Sequence, residues 1–221
     1  DRPASAAGVF TTNRFQAAPV VVARQALEAS GGRARAFVMN SGQANACTGD
    51  EGLANCRETL AMVAELAGLE PGEVLPASTG VIGVQLKMDL WREALPQLEV
   101  NLGQAQALDA AKAIMTTDSF PKVAWGSLDD GGQSAGIFGM AKGAGMICPD
   151  MATMLGFILT DAAVEPERLD RCLRQAVNAS FNLVTVDGDT STNDRVLVMA
   201  NGAGGMTIGE AEEAAFVEAL T

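Results

Sequence analysis

The chain has 221 residues, 48% of them hydrophobic and 19% charged, with 27 acidic against 15 basic side chains and a formal net charge of -12. This is ordinary globular composition with length enough for a substantial core, which excludes wholesale disorder. The chain contains no His, so Ser-His-Asp and Cys-His catalysis, HExxH sites and His-bearing zinc sites are excluded within these residues.

Short apolar runs bounded by Gly, Pro, Asn or Asp predict strands at Val20–Ala23, Ala36–Met39, Val81–Val84, Val123–Trp125, Ile137–Met140, Met154–Leu159, Leu183–Val186 and Val196–Met199. Between them, helical spacing is clearest over 51–67, where Leu53, Cys56, Leu60, Val63 and Ala67 share a face. Asp50 is the expected N-cap there, and Gly68 with Pro71-Gly72 the stop. A second helix is expected over about 103–115. A third starts at Pro166 with Leu169, Cys172, Leu173, Ala176 and Val177 inward, and a fourth covers about 209–220. The mixture predicts an α/β protein with helices packed on sheet.

The acidic balance argues against nucleic acid as a partner, and no Lys/Arg cluster offsets it. Cys47, Cys56, Cys148 and Cys172 are irregularly spaced and read as reduced, mostly buried thiols. The longest charge-free stretches have 14 residues (36–49 and 196–209), too short to span a bilayer. The first residues lack a signal-peptide pattern, so the expected localisation is cytoplasmic, with no membrane partner. The Gly-rich turns at 40–52, 77–83, 139–145 and 201–205 include no GxGxxG between strand and helix and no GxxxxGK[ST], which disfavours nucleotide binding. The run Asp187-Gly188-Asp189-Thr190-Ser191-Thr192-Asn193-Asp194 lacks the Gly and Glu of a calcium loop and reads as a turn with Asx hydrogen bonds; no metal site is expected.

The most unusual segment is KGAGMICPDMATML at 142–155, where a Gly-rich turn, a Pro and an Asp precede a Thr that opens an apolar strand. Taken alone, Thr153 reads as an ordinary strand residue. Its hydroxyl could instead attack the preceding carbonyl of Ala152. The resulting N-terminal Thr would combine nucleophile with an α-amine of pKa roughly 7.7–8.0, a chemistry that needs no His.

KGAGMICPDMATMLGFILTDA (142–162) resembles the self-cleaving segment of the ornithine acetyltransferase family, bifunctional glutamate N-acetyltransferases of arginine biosynthesis. Five further stretches agree in order: AGVFTTNRFQAAPV (7–20), NSGQANACTG (40–49), ASTGVIG (77–83), IMTTDSFPK (114–122) and TVDGDTSTNDRVLVMANG (185–202). The resemblance implies layered sheets covered by helices, as in a self-cleaving N-terminal-Thr acyltransferase. It implies cleavage between Ala152 and Thr153, giving an α-chain portion over 1–152 and the start of a β chain over 153–221. By position, Thr153 matches the nucleophile and first residue of the β chain, and Thr79 and Gly80 match the pair that steadies the oxyanion. Lys142 matches a substrate-contacting lysine and Thr116, with Thr117 beside it, a second substrate contact. Without the resemblance, Thr79-Gly80 would read as a tight turn, Lys142 as a surface lysine, and Thr116 as a helix-end cap.

The implied reaction moves an acetyl group from N-acetylornithine to glutamate through acetyl-Thr153, with no cofactor and no metal. The alternatives left open are acetyl-CoA as donor at the same site, water as acceptor in a related self-cleaving amidohydrolase or aminopeptidase, and a non-enzymatic acidic α/β binding module with Thr153 uncleaved. The implied partners are these small molecules and the α and β fragments of one precursor, assembled as a heterotetramer. Chains of the family begin before residue 1 and extend past residue 221, so a fragment is expected.

Overall fold

The computed structural model describes residues 2–104, 106–146 and 154–221. In chain order they form β1 (Ala4–Phe10), α1 (Ala18–Ser30), β2 (Arg33–Ala34), β3 (Ala36–Asn40), α2 (Gly49–Ala67), β4 (Val74–Ser78), α3 (Met88–Asn101), α4 (Ala107–Ala113), β5 (Lys122–Asp129), β6 (Ser134–Lys142), β7 (Leu155–Thr160), α5 (Pro166–Ala179), β8 (Arg195–Ala200) and α6 (Glu213–Leu220). Ala152 and Thr153, and with them Cys148, lie outside the described residues.

Six strands make one sheet in the order β2-β1-β8-β7-β6-β5. β7 and β8 run parallel, and every other pairing in it is antiparallel. β3 and β4 form a separate parallel pair. Period-2 alternation sends the residues of each central strand into two different cores. On β8, Val196, Val198 and Ala200 meet Leu169, Cys172 and Leu173 of α5 and Phe216 of α6. Leu197 and Met199 face the other way, toward Leu75 and Ala77 of β4 and Ala111 and Ile114 at α4. A third core joins α1, α2 and the far side of the β3–β4 pair through Val22, Cys56, Leu60, Val63, Val38 and Val74. The layers are therefore α5 and α6, the six-stranded sheet, the β3–β4 pair, and α1 with α2.

Five of the expected strands are found, and so are the helices at α2, α5 and α6; the stripe read off α5 is buried at all five positions. The second expected helix is shorter than 103–115 and ends at Ala113. Helix α2 starts one residue ahead of the expected cap, with Thr48 in the N-cap position instead of Asp50.

Three expected strands are corrected. Val20–Ala23 lies inside α1, which Pro19 opens and Gly31 (φ +62°) closes. Its β-branched run is short enough to fit either element, and helical burial of Ala18, Val22 and Ala23 decides. Val81–Val84 is an exposed loop broken by Gly83 at φ +83°. Leu183–Val186 is also exposed and leaves a short 3-10 turn at Phe181–Leu183 for the Asp-rich loop.

Three unexpected elements have physical reasons for being hidden. β1 is built of small residues of weak strand preference, and its two partner strands impose its conformation. β4 carries Pro76, tolerated because β4 pairs on one side only. α3 contains Pro96 and buries no residue fully.

Candidate active site

Four strand ends meet at one corner of these layers. β4 ends at Ser78 and hands the chain to Thr79-Gly80, β6 ends at Lys142, and β7 and β8 begin at Leu155 and Arg195. Register makes the meeting obligatory, because Leu155 is the partner of both Lys142 and Arg195. Thr153 stands two positions ahead of Leu155 in the sequence.

Lys142 is buried, and its ammonium donates to the hydroxyls of Thr79 (2.9 Å) and Thr116 (2.8 Å). The structure thus brings together Thr79, Thr116 and Lys142, and between the neighbouring threonines it is Thr116 that the lysine touches. Burial lowers the Lys142 pKa, and the nearby Asp118 and Asp194 carboxylates push it back up. Among the described residues this cation has no carboxylate in salt-bridge contact, so a hydrogen-bonding site with unspent positive charge faces the corner.

Asp118 organises that arrangement. Its Oδ1 accepts from Lys122 Nζ (2.6 Å) and from the Gly143 amide (2.7 Å), while Oδ2 accepts from the Thr116 amide (3.2 Å). One carboxylate therefore holds Thr116 and the residue after Lys142 together. Burial alone would raise its pKa, but the bonds to Lys122, Gly143 and Thr116 outweigh that and hold the carboxyl below its ordinary value.

The Thr79-Gly80 turn is packed against the loop after β3. Thr79 N–H donates to Asn40 O (3.0 Å) and Val81 N–H to Gly42 O (3.1 Å). The Gly80 N–H between them makes no hydrogen bond to the described residues. Gly80 sits at φ +132°, and a Cβ there would fall 2.2 Å from the carbonyl carbon of Gly42. Only glycine fits.

The Asp-rich run closes the corner. Asn193 donates to Ala44 O (2.6 Å) and Ser78 O (2.8 Å), fixing the approach to Thr79. Arg195, wholly buried, donates from Nε to Asn193 O (3.0 Å) and from Nη1 to Pro76 O (2.6 Å). Burial pulls its pKa down to about 10, against the opposing fields of Cys56 and Asp194. Asp187 accepts from the Met146 and Asp189 amides, as an Asx turn does. No cluster of potential metal ligands occurs among the described residues.

Asp194 is fully buried. Its Oδ1 accepts the Met154 N–H (3.0 Å), while Arg195 N–H donates to Met154 O (3.1 Å), so Met154 is clamped on both sides of its own residue. Asp194 Oδ2 completes no hydrogen bond among the described residues. Burial raises its pKa to about 7, moderated by Ser191, the Met154 amide and the Arg195 charge. The folded chain therefore holds a proton that the unfolded chain, with a carboxyl near 3.9, releases between about pH 4 and 7. The sign follows: stability is lost as pH rises through that window, and the deficit is complete above it. Asp194→Asn is expected to raise stability at pH 8 by about 3–4 kcal/mol. The gain should shrink toward pH 4–5, as urea melts at the two pH values would show.

Of the thiols, Cys56 is pushed up to about 11 by burial and is no nucleophile near neutral pH; Cys172 is also buried and raised, and Cys47 is exposed. Larger grooves of about 490 and 610 Å³ lie along other parts of the sheet and contain none of Thr79, Lys142 or Asp194. No described helix is long and apolar enough to cross a membrane.

Asp118, Asn193, Asp194 and Arg195 were not predicted as site residues. Asp118 lies within the IMTTDSFPK motif, Asn193 and Asp194 end the run expected to form a turn, and Arg195 opens the strand that follows it. For Asn193, Asp194 and Arg195 the signal is polar groups leading directly into the apolar run Val196–Ala200, where a polar side chain is carried into the interior; Asp118 has no such signal.

The model of the ArgJ family matches residues 1–221. The arginine biosynthesis bifunctional protein ArgJ of Nitratidesulfovibrio vulgaris is 62% identical over 221 residues, covering 100% of this chain and 56% of that protein. That of Geobacter sulfurreducens is 53% identical over 205 residues, covering 93% and 52%. The chain thus spans about half the length of these curated relatives. Among solved structures, ArgJ of Bacillus halodurans superposes with a TM-score of 0.61 at 38% identity, over 68% of this chain and 78% of that one. Ornithine acetyltransferase of Mycobacterium tuberculosis, complexed with ornithine, gives 0.56 at 37%, over 67% and 77%. A Burkholderia β-aminopeptidase, only 14% identical, shares the fold over 100% of this chain and 71% of that one, with a TM-score of 0.55.

Proposed function

The chain belongs to the ArgJ family, and from that premise we propose that it is the Thr153-bearing part of an acetyltransferase of arginine biosynthesis. In this reading the chain is cut between Ala152 and Thr153, leaving 1–152 as the α-chain portion and 153 onward as the β chain. The Thr153 hydroxyl then attacks the acetyl carbonyl of N-acetylornithine, and its own α-amine takes the proton. The Thr79 hydroxyl and the unspent Gly80 N–H stabilise the oxyanion. Ornithine leaves, and glutamate collects the acetyl group from Thr153. Lys142 supplies the positive charge for an amino-acid carboxylate, with Thr116 holding it in place. The observation that carries the reading is the Lys142 ammonium bonded to both Thr79 and Thr116, at the strand end that pairs with Leu155.

The relatives are named bifunctional, which favours a second activity at the same site with acetyl-CoA as donor. The α and β fragments would remain together and associate further as a heterotetramer.

The test is a half-reaction on the full-length protein. Incubated with N-acetylornithine and no glutamate, the fragment beginning at Thr153 should gain one acetyl group by intact mass as free ornithine appears. Added glutamate should discharge it. Turnover with no acetylated fragment at any time would refute the covalent route. Acetyl-CoA in place of N-acetylornithine reports the second donor directly.

A further inference from the structure

In the proposed transfer reaction the Thr153 amine serves as base. Before the chain is cut that amine is not available, since its nitrogen is locked in the amide that must break. Amide nitrogen has no basic lone pair, and the chain has no His. An uncut chain therefore needs another base, and among the described residues the small cavity at this corner offers Asp194 and Lys142.

One buried carboxylate is bonded to the residue that follows Thr153 in the sequence. Asp194 is held by its own backbone carbonyl to Thr11 N–H (2.9 Å), and its neighbours are tied down by Thr11 Oγ1 to Ser191 O (2.8 Å) and Ala17 N–H to Thr192 O (2.9 Å). Its Oδ1 is bonded to the amide of Met154, the residue directly after Thr153, and its Oδ2 lacks a partner among the described residues. A fully buried carboxylate oxygen is costly to leave unbonded. Asp194 also lines the small cavity that contains Thr79, Gly80 and Lys142. The charged groups facing it are Arg195, the next residue and the first of β8, and Lys142 on β6. Lys142 is the weaker base candidate, because it is engaged as donor to two hydroxyls.

Resting on the reading of Thr153 as nucleophile, we infer that Asp194 is the base of the self-cleavage step, taking the Thr153 hydroxyl proton while that oxygen attacks the Ala152 carbonyl. The C–O bond forms, and the carbonyl becomes an oxyanion. Collapse breaks the Ala152–Thr153 C–N bond, and the protonated Asp194 returns its proton to the leaving nitrogen. The products are an Ala152 ester on Thr153 Oγ and a free amine. Water then hydrolyses the ester to an Ala152 carboxylate and the Thr153 hydroxyl. The carboxylate's elevated pKa, about 7, suits this task, since a base poised near the working pH is the most effective.

The test uses the full-length chain made by cell-free synthesis and chased in buffers from pH 5 to 8.5, with cleavage at 152/153 read by denaturing gel and intact mass. Asp194→Asn keeps an oxygen for the Met154 N–H and replaces the other, basic oxygen by a non-basic NH2; cleavage should slow at least about 100-fold. Hydroxylamine, which intercepts esters, should accelerate cleavage of the parent chain but not of the Asn variant. The parent rate should rise about tenfold per pH unit below about 7 and level off above it. An Asn variant that cleaves within a few-fold of the parent, or a parent rate flat from pH 5 to 7, overturns the inference. If the variant melts below the parent at pH 8, the parent's pH profile alone decides. Thr153→Ala separates this from the underlying reading: if that chain still cuts at 152/153, Thr153 is not the nucleophile and both fall. If it stays intact while Asp194→Asn cuts normally, only the role of Asp194 falls.

Discussion

Thr153→Ala is expected to leave the full-length chain uncut and to lower acetyl transfer by at least about ten-thousandfold, the scale on which removal of a covalent nucleophile acts. Two losses combine. The hydroxyl that would attack both the Ala152 carbonyl and the acetyl group is gone, and without the cut no α-amine is created to serve as base. Within these 221 residues there is no His, so no imidazole from this part of the protein could activate water in their place. The fold should be unaffected, because Met154 keeps its bonds to Asp194 and Arg195. Ornithine release from N-acetylornithine, measured beside a denaturing gel, checks both halves. Transfer within a hundredfold of the parent would show that Thr153 is not the nucleophile.

Gly80→Ala is the second large effect. The new methyl would meet the backbone of Gly42 and Gln43 at 2.2–2.6 Å, and φ +132° is closed to an L side chain. Neither neighbour is a flexible side-chain tip, so the turn must move. Because Thr79 and Gly80 are adjacent, the shift would displace both proposed oxyanion donors, and kcat should fall about 100- to 1,000-fold. KM for N-acetylornithine should change less, since Asp118 still bonds the Thr116 and Gly143 amides and Lys142 keeps Thr116 as a partner when its bond to Thr79 is disturbed. Stability should fall as well, by about 1–3 kcal/mol for the strained backbone. A variant with a lower melting temperature but an unchanged kcat would show that the Gly80 N–H does not face the reacting carbonyl.

What could be read from the sequence differs in kind from what could not. The inward stripe of α5 was legible because it depends on local periodicity alone, and Thr79, Gly80, Thr116 and Lys142 because they sit in distinctive motifs. Asp194 was hidden. A carboxylate in an Asp-rich run has the composition of a solvated turn, and only the pairing of β8 between β1 and β7 buries it. Asp118 was hidden for a related reason: its partners Thr116 and Gly143 are 2 and 25 positions away, and one carboxylate joins them only once α4 and β6 are packed. Val20–Ala23 shows the opposite failure. There the local signal was strong and wrong, because a four-residue apolar run with three valines carries no period that separates strand from helix.

The order of the central sheet bears on how such a protein would be made. β7 and β8 lie C-terminal to Thr153, yet they are inserted between β1 and β6, which precede it. A chain cut at 152/153 would thus be two pieces interleaved in one hydrogen-bonded layer, which no rigid-body separation could part. Assembly before the cut is unimolecular, with the connecting segment keeping the pieces at high effective concentration; after the cut it would be a second-order encounter. The uncut chain thereby acts as its own assembly tether. If Asp194 is the base of the cut, the peptide bond at 152/153 would break only once β7 and β8 had brought Met154 to Asp194, and the sheet would check its own completion before the nucleophile was released. Once denatured, the clipped protein should recover poorly and in a concentration-dependent way, whereas the uncut chain would refold at a rate independent of dilution.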